Sequence, residues 1–354
     1  MRDLLEEMVS KGASDLHLTA GLPPQLRVDG NMASSEHPVL SADETRRLAY
    51  SILNDEQKKR FENDRELDLS FGVQGISRFR ANVFQQRGVT AMAIRQIPYE
   101  IRTFEQLGLP GICRDLITKT NGLVLVTGPT GSGKSTTLAT MVDTINTTRN
   151  GHIITIEDPI EFVHQHKNCI INQREVNSDT HSFPAALKYV LRQDPDVILI
   201  GEMRDRETIS AALTIAETGH LAMATLHTNS TFESINRIVD VFPPEQQNQV
   251  RSQLAFSLSG VITQQLIPKA RGGGRVLALE IMVCTPGIKA MIRDNKTHQI
   301  YGLMQAGQKH GMQTMNQSLY HAVINKWITP EQALGRSSDI QELEQMLGDP
   351  ALAI

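Results

Sequence analysis

The 354-residue sequence has only three cysteines, Cys113, Cys169 and Cys284, far apart and without a CxxC pair. They can build neither a disulfide framework nor a four-cysteine zinc site, and a reducing compartment suits them best. An excess of either charge is also lacking: 35 Lys and Arg stand against 39 Asp and Glu, a net of −4. No global field is available for a polyanion, and no basic, aromatic-rich stretch supplies a local one, so nucleic acid is not an expected partner. Long apolar runs are missing too. Residues 122–126 and 197–200 fall far short of the ~20 residues of a membrane span, so a membrane role is expected to go through partners and not through direct insertion. The start, Met1-Arg2-Asp3-Leu4-Leu5-Glu6-Glu7, has acids where a signal peptide needs a basic region and an apolar core, and export by that route is not expected. What is present is an ordinary globular composition, 40% hydrophobic and 21% charged. The length fits two domains at ~150 residues each.

Residues 1–97 read as a small mixed domain. Leu4, Leu5, Met8 and Val9 recur at helical spacing until Gly12 stops the segment. Residues 15–18 and 25–28 alternate as strands, the second ending at the turn pair Asp29-Gly30. Ser41, with Glu44 three residues on, predicts the start of one polar helix running to about Asn63. Residues 67–71, 78–84 and 89–97 then read as antiparallel strands. In the middle one, period two sets Phe79, Ala81 and Val83 on one face and Arg78, Arg80 and Asn82 on the other. Pro98 and Pro110 bracket a weakly periodic stretch, residues 98–110, that reads as an interdomain linker. Residues 111–354 read as an α/β domain: short apolar runs at 123–127, 152–156, 197–200 and 221–226 alternate with helical segments, as in a parallel sheet with crossover helices. Beyond Pro244 mostly helix is expected, interrupted by the loop Gly272-Gly273-Gly274 and a strand-like run at 275–283.

The run Gly128-Pro129-Thr130-Gly131-Ser132-Gly133-Lys134-Ser135-Thr136 matches GxxxxGK[ST] in full, after an apolar strand and before a helical stretch at 137–146. Backbone N–H groups of such a loop close around phosphates, and the helix N-terminus adds the positive end of its dipole. Lys134 is expected to reach the β- and γ-phosphates and Ser135 to ligate Mg²⁺. A glycine-rich turn without a ligand is the bland alternative, and both motif and setting weigh against it. Further polar residues lie just past the carboxyl ends of the apolar runs, the edge of a parallel sheet where ligands bind. These are Glu157, Asp158 and Glu161 after the second run, Glu202 after the third and His227 after the fourth. A single acid after a strand is usually a cap or a solvated residue; several segments aimed at one edge are harder to dismiss. Glu202 is the first candidate to hold the metal through water or to polarise the nucleophile. Glu161 is the candidate general base, with Asp158 and Glu157 in support, and the choice between Glu161 and Glu202 stays open. His227 reads as a γ-phosphate sensor, and His220, at the other end of the same run, equally as a structural or interface residue.

Taken in order, the loop 128–136, the box Ile154-Thr155-Ile156-Glu157-Asp158-Pro159-Ile160-Glu161-Phe162, residues 194–205 and residues 217–228 resemble the Walker A, Asp, Walker B and His boxes of the type II/IV secretion ATPases. Within that superfamily Ser14-Asp15-Leu16-His17-Leu18, residues 21–24 and residues 172–176 are similar to the type IV pilus retraction branch. The resemblance implies a cytoplasmic homohexameric ring, each subunit having a PAS-like amino-terminal domain and a RecA-like motor domain with ATP and Mg²⁺ between them. It implies docking on an inner-membrane platform protein of the pilus machinery, and pilus retraction by return of pilin to the membrane. It also implies arginines reaching the nucleotide from the amino-terminal domain, where Arg78, Arg80 and Arg95 occupy the matching stretch; a solvated strand face is the alternative for each. The retraction branch carries a motif Ala-Ile-Arg-Asn-Leu-Ile-Arg-Glu, matched in part by Gly287-Ile288-Lys289-Ala290-Met291-Ile292-Arg293-Asp294. An effector role is implied there, while the spacing of Ile288, Met291 and Ile292 reads as core packing. The rival readings are a secretion or extension ATPase of the same superfamily, a nucleic-acid ring translocase, and an ATP-binding scaffold that does not hydrolyse.

Overall fold

The computed structural model describes residues 1–28, 30–97, 100–271 and 273–348. Asp29 of the expected turn, Pro98 and Tyr99 of the expected linker and Gly272 of the expected loop lie outside the described residues. The chain divides into two units, Met1–Glu100 with Pro159–Val163, and Ile101–Asp158 with His164–Ile354.

In the first unit a helix, Arg2–Ser10, precedes β1 (Asp15–Leu18), β2 (Gln25–Val28) and β3 (Asn31–Ser34), and β4 (Glu66–Val73), β5 (Ser77–Gln86) and β6 (Val89–Ile97) follow two further helices. The strands form one antiparallel sheet in the order β3-β2-β1-β6-β5-β4. Alternation along β5 buries Phe79, Ala81 and Val83 completely against Leu5, Met8, Leu16 and Phe61. The expected single helix from Ser41 to Asn63 is instead two, Ala42–Tyr50 and Asp55–Asp64. The Ser41–Glu44 capping box is present, but Asn54 and Gln57 form a second one, and Leu53 between the helices turns into the core at 5% exposure. Strand β3 gave no sequence signal because all four of its residues are exposed and carry no apolar alternation.

The second unit holds β7 (Gly122–Thr127), β8 (His152–Glu157), β9 (Ile170–Glu175), β10 (Val197–Ile200), β11 (Leu221–Leu226), β12 (Leu258–Pro268) and β13 (Arg275–Val283). They make one sheet in the order β13-β12-β7-β11-β10-β8-β9, parallel except for β13. This is the expected α/β motor architecture, with every side chain of β7, β10 and β11 buried as a doubly covered parallel sheet demands. Period two along β7 sends Leu123 and Leu125 into the core on one face, and Val124 and Val126 into the core on the other. On the latter side the helix Lys134–Thr148 contributes Leu138, Met141, Val142 and Ile145, spaced as one stripe. Helix was expected where β12 lies. That 11-residue strand is buried along most of its length, so it lacks the alternation that marks a half-exposed strand. Gly260 within it admits the helix Gly111–Ile117, because a Cβ there would stand 2.9 Å from the Leu116 methyls. Residues 101–110 include a capped helix, Phe104–Leu107, whose Phe104 is buried in the core of this unit.

The segment resembling the retraction motif forms the helix Pro286–Arg293, with Ile288 and Ile292 fully buried and the Arg293 side chain 60% exposed against Asp294. Ile292→Ala is expected to cost about 2–5 kcal/mol, whereas Arg293→Ala stays within about 0.5 kcal/mol in denaturant melts.

A second expectation concerns acid. Burial pushes the His164 imidazole pKa down to about 4, with Asp143 opposing that shift and Lys167 adding to it. The folded value lies below the ordinary one, so the unfolded chain takes up the proton first, and stability is lost as pH falls from about 6.5 to about 4. His164→Gln should remove this share, about 3 kcal/mol of the difference between melts at pH 7 and pH 4.

Candidate active site

The carboxyl end of β7 runs straight into the glycine-rich loop, and the loop runs into the helix Lys134–Thr148. Gly128 has φ +138°, and a Cβ on it would lie 2.4 Å from the Gln264 carbonyl oxygen and 2.7 Å from Ser132 Oγ. Only glycine lets β12 close on the loop at that point. Gly133, the helix N-cap, has φ +91°, a left-handed conformation that favours glycine, and no side chain caps the first N–H groups of the helix. Lys134 is 8% exposed and its Nζ donates to the carbonyls of Gly128 at 2.9 Å and Pro129 at 3.1 Å, so the ammonium is folded over the loop. Pro129, Thr130 and Gly131 are exposed, while Ser135 and Thr136 are half-buried in the first helical turn. Ser132 Oγ is buried and, among the described residues, has no hydrogen-bond partner. An open helix N-terminus, a backbone cradle, a nearby ammonium and an unpartnered hydroxyl are together the donor set that a phosphate chain fits.

The neighbouring strand ends bring two predicted residues together. His227 follows β11 and Glu202 follows β10, and His227 Nε2 lies 3.2 Å from Glu202 Oε1. Stitches between the strand ends hold the pair: Met203 N–H donates to the Thr225 carbonyl at 3.1 Å, and Thr225 Oγ1 donates to the Gly201 carbonyl. Arg204 Nε donates to the same Glu202 oxygen. That bond, together with the nearby charge of Asp158, raises the guanidinium pKa above its ordinary value. Glu157, half-buried at the end of β8, accepts from Thr155 Oγ1 at 2.6 Å and Gln173 Nε2 at 3.2 Å.

Asp158 is exposed in this unit, and Glu161 is exposed in the first one. The three arginines also lie in the first unit, on the polar sheet face: Arg78 Nη2 donates to Ser70 Oγ at 2.8 Å, Arg80 stands 4.0 Å from Asp68, and Arg95 Nε donates to Asp15 at 2.8 Å. Burial pushes the Asp15 carboxyl pKa up, but hydrogen bonds from Ser14 and Arg95 outweigh it and hold it below the usual range. His220 sits at the amino end of β11, its Nδ1 3.3 Å from the Ile215 carbonyl. Sequence reasoning missed Arg204, Gln173 and two residues of β12. Thr263 Oγ1 is 2.7 Å from Thr127 Oγ1, and Gln264 Nε2 donates to Thr137 Oγ1 at 2.9 Å. Arg204, two residues beyond Glu202, was within reach of a search for cations near the acids; the others contact the site only across the sheet.

The family model for the type II/IV secretion system protein matches residues 1–335. The chain belongs to that family. It is 52% identical over 331 residues to the type IV pilus retractation ATPase PilT of Pseudomonas aeruginosa, covering 94% of this chain and 96% of that one. It is 48% identical to a twitching motility protein of Neisseria gonorrhoeae, over 90% of this chain and 86% of the relative. A crystal structure of the pilus retraction motor PilT with bound ADP superposes with a TM-score of 0.92 at 52% identity, over 97% of this chain and 98% of that one. The tight closure of the phosphate loop on β12 gives a direct test. Gly128→Ala is expected to cost about 1–3 kcal/mol, because a methyl group there forces β12 and the loop apart. Binding of a fluorescent ATP analogue should fall with it, measured beside a denaturant melt.

Proposed function

We propose that this chain is a motor ATPase that powers type IV pilus retraction. The observation that carries the ATPase reading is the Glu202–His227 pair, held 3.2 Å apart just past the ends of the two strands that follow β7 in the sheet order, at the edge where β7 enters the phosphate loop. A scaffold that only bound nucleotide needs the loop but not an oriented carboxylate at that edge. Loop N–H groups and the positive helix end bind the phosphates. Lys134 exchanges its contacts with the Gly128 and Pro129 carbonyls for phosphate oxygens. Glu202, steered by His227 and Arg204, orients the attacking water, while His227 reads the γ-phosphate. Ser135 and Glu202 would hold Mg²⁺, which supplies charge neutralisation at the phosphate oxygens; one hydroxyl, one carboxylate and the phosphates form a donor set of the kind this ion prefers.

The retraction role is supported by the 52% identity to the Pseudomonas aeruginosa retraction ATPase over nearly the whole of both chains. On the same reading the subunits form a homohexameric ring on the cytoplasmic side of the inner membrane, docked on a pilus platform protein. Arg78, Arg80 and Arg95 are the candidates to reach the nucleotide from the first unit, and Glu161 and Asp158 stay candidates for water or metal.

Lys134→Ala should lower Mg²⁺-dependent phosphate release by about 10²-fold or more, as loss of a transition-state cation does, with the melting curve little changed. Glu202→Gln should keep ATP binding and lose most turnover. In cells, deletion of the gene should leave long, excess, non-retracting fibres; bald cells would point to extension instead.

A further inference from the structure

Glu280 lies in the middle of β13 with 2% of its surface exposed, and none of the steps above uses it. Its Oε1 accepts from the N–H of Thr231 at 2.7 Å, the first residue of the helix Thr231–Asp240. On its other side the N–H of Met315, the first residue of the helix Met315–Ile324, lies near enough to the carboxylate to hold its pKa down. Two helix N-termini thus converge on one buried acid, an arrangement their dipoles favour. Burial pushes the Glu280 pKa up, and Glu233 adds to that, while the Thr231 hydrogen bonds and the Met315 N–H resist it.

Capping alone does not account for this carboxylate, because both helices have ordinary caps: Ser230 Oγ accepts from Glu233 N–H and Thr314 Oγ1 from Gln317 N–H. A buried charge costs several kcal/mol of desolvation, and an apolar side chain of similar shape serves stability as well or better. What Glu280 adds is connection. Thr127, Thr263 and Glu280 stand in one row across β7, β12 and β13. The row starts at the residue before Gly128 and ends at the acid that holds Thr231, four residues after His227. The intervening loop is clamped onto its helix, with Thr228 Oγ1 2.6 Å from Ser234 Oγ and Asn229 N–H donating to Glu233 at 3.1 Å.

We propose that Glu280 is a positioning residue for ATP hydrolysis: its buried carboxylate pins the amino ends of the helices Thr231–Asp240 and Met315–Ile324 together and so sets the loop carrying His227 against Glu202. The assignment rests on the ATPase reading above.

The test is steady-state ATP hydrolysis by the full chain. Glu280→Gln keeps the shape but removes the negative charge that faces the two helix N-termini. Its kcat should fall about tenfold, since small misplacements of a positioned group cost up to about 10²-fold, with KM changed less than about twofold. In a His227→Ala background the same substitution should lower kcat by less than about twofold further, because the group it positions is gone. An equal fall in both backgrounds, or none in the wild type, overturns the proposal. Should Glu280→Gln fail to fold, Thr231→Pro deletes the donor at a first helical position, where proline is tolerated. It should show the same kcat loss and the same dependence on His227, and wild-type turnover there overturns the proposal as well. A His227→Ala protein as fast as the wild type overturns it while leaving the ATPase reading standing; a wild type that releases no phosphate overturns both.

Discussion

Strand β7 is hydrogen-bonded on both edges, to β11 and to β12, and all six of its residues are buried. The turn that leaves it is therefore fixed from both sides. A phosphate loop works only if its backbone N–H groups are aimed before the ligand arrives, and such aim requires a rigid strand beneath and a helix beyond. The two faces of β7 supply this by alternation, Leu123 and Leu125 anchoring one core and Val124 and Val126 the other.

The remaining chemistry is arranged by sheet order. Because β11 and then β10 follow β7, the residues after them, His227 and Glu202, arrive at the same edge as the loop although they are far from it in the chain. On the other side β12 backs the loop through Thr263, Gln264 and the close approach at Gly128. Strand β13 extends that support to the helix behind His227 through Glu280. The extension of the sheet by β12 and β13 thus braces the phosphate loop and the helix that follows His227.

In the first unit the same alternation separates an apolar core face from a charged one. Arg80 and Arg95 are direct cross-strand neighbours, and Asp15 faces Arg95 from the next strand. Two cations side by side repel, and Asp15 and Asp68 offset that repulsion. The result is a sheet face rich in guanidinium donors that is already balanced by carboxylates.

Patterns confined to a short window were legible in the sequence. The phosphate loop, the Ser41 capping box, the alternation of β5 and the apolar runs of β7, β10 and β11 each follow from local spacing, and so did the placing of Glu202 and His227 past strand ends. Tertiary structure decided the rest. β12 looks helical in isolation because burial on both faces erases its alternation, and β3 has no apolar pattern because it is an exposed edge. Arg204, Gln264 and Glu280 acquire meaning only from partners brought near by folding: 127 residues separate Gln264 from Thr137, and 49 separate Glu280 from Thr231. Local spacing fixes which way a side chain points from its own strand or helix, but which group it then meets depends on strand order, and strand order is set by how the whole sheet buries its two faces.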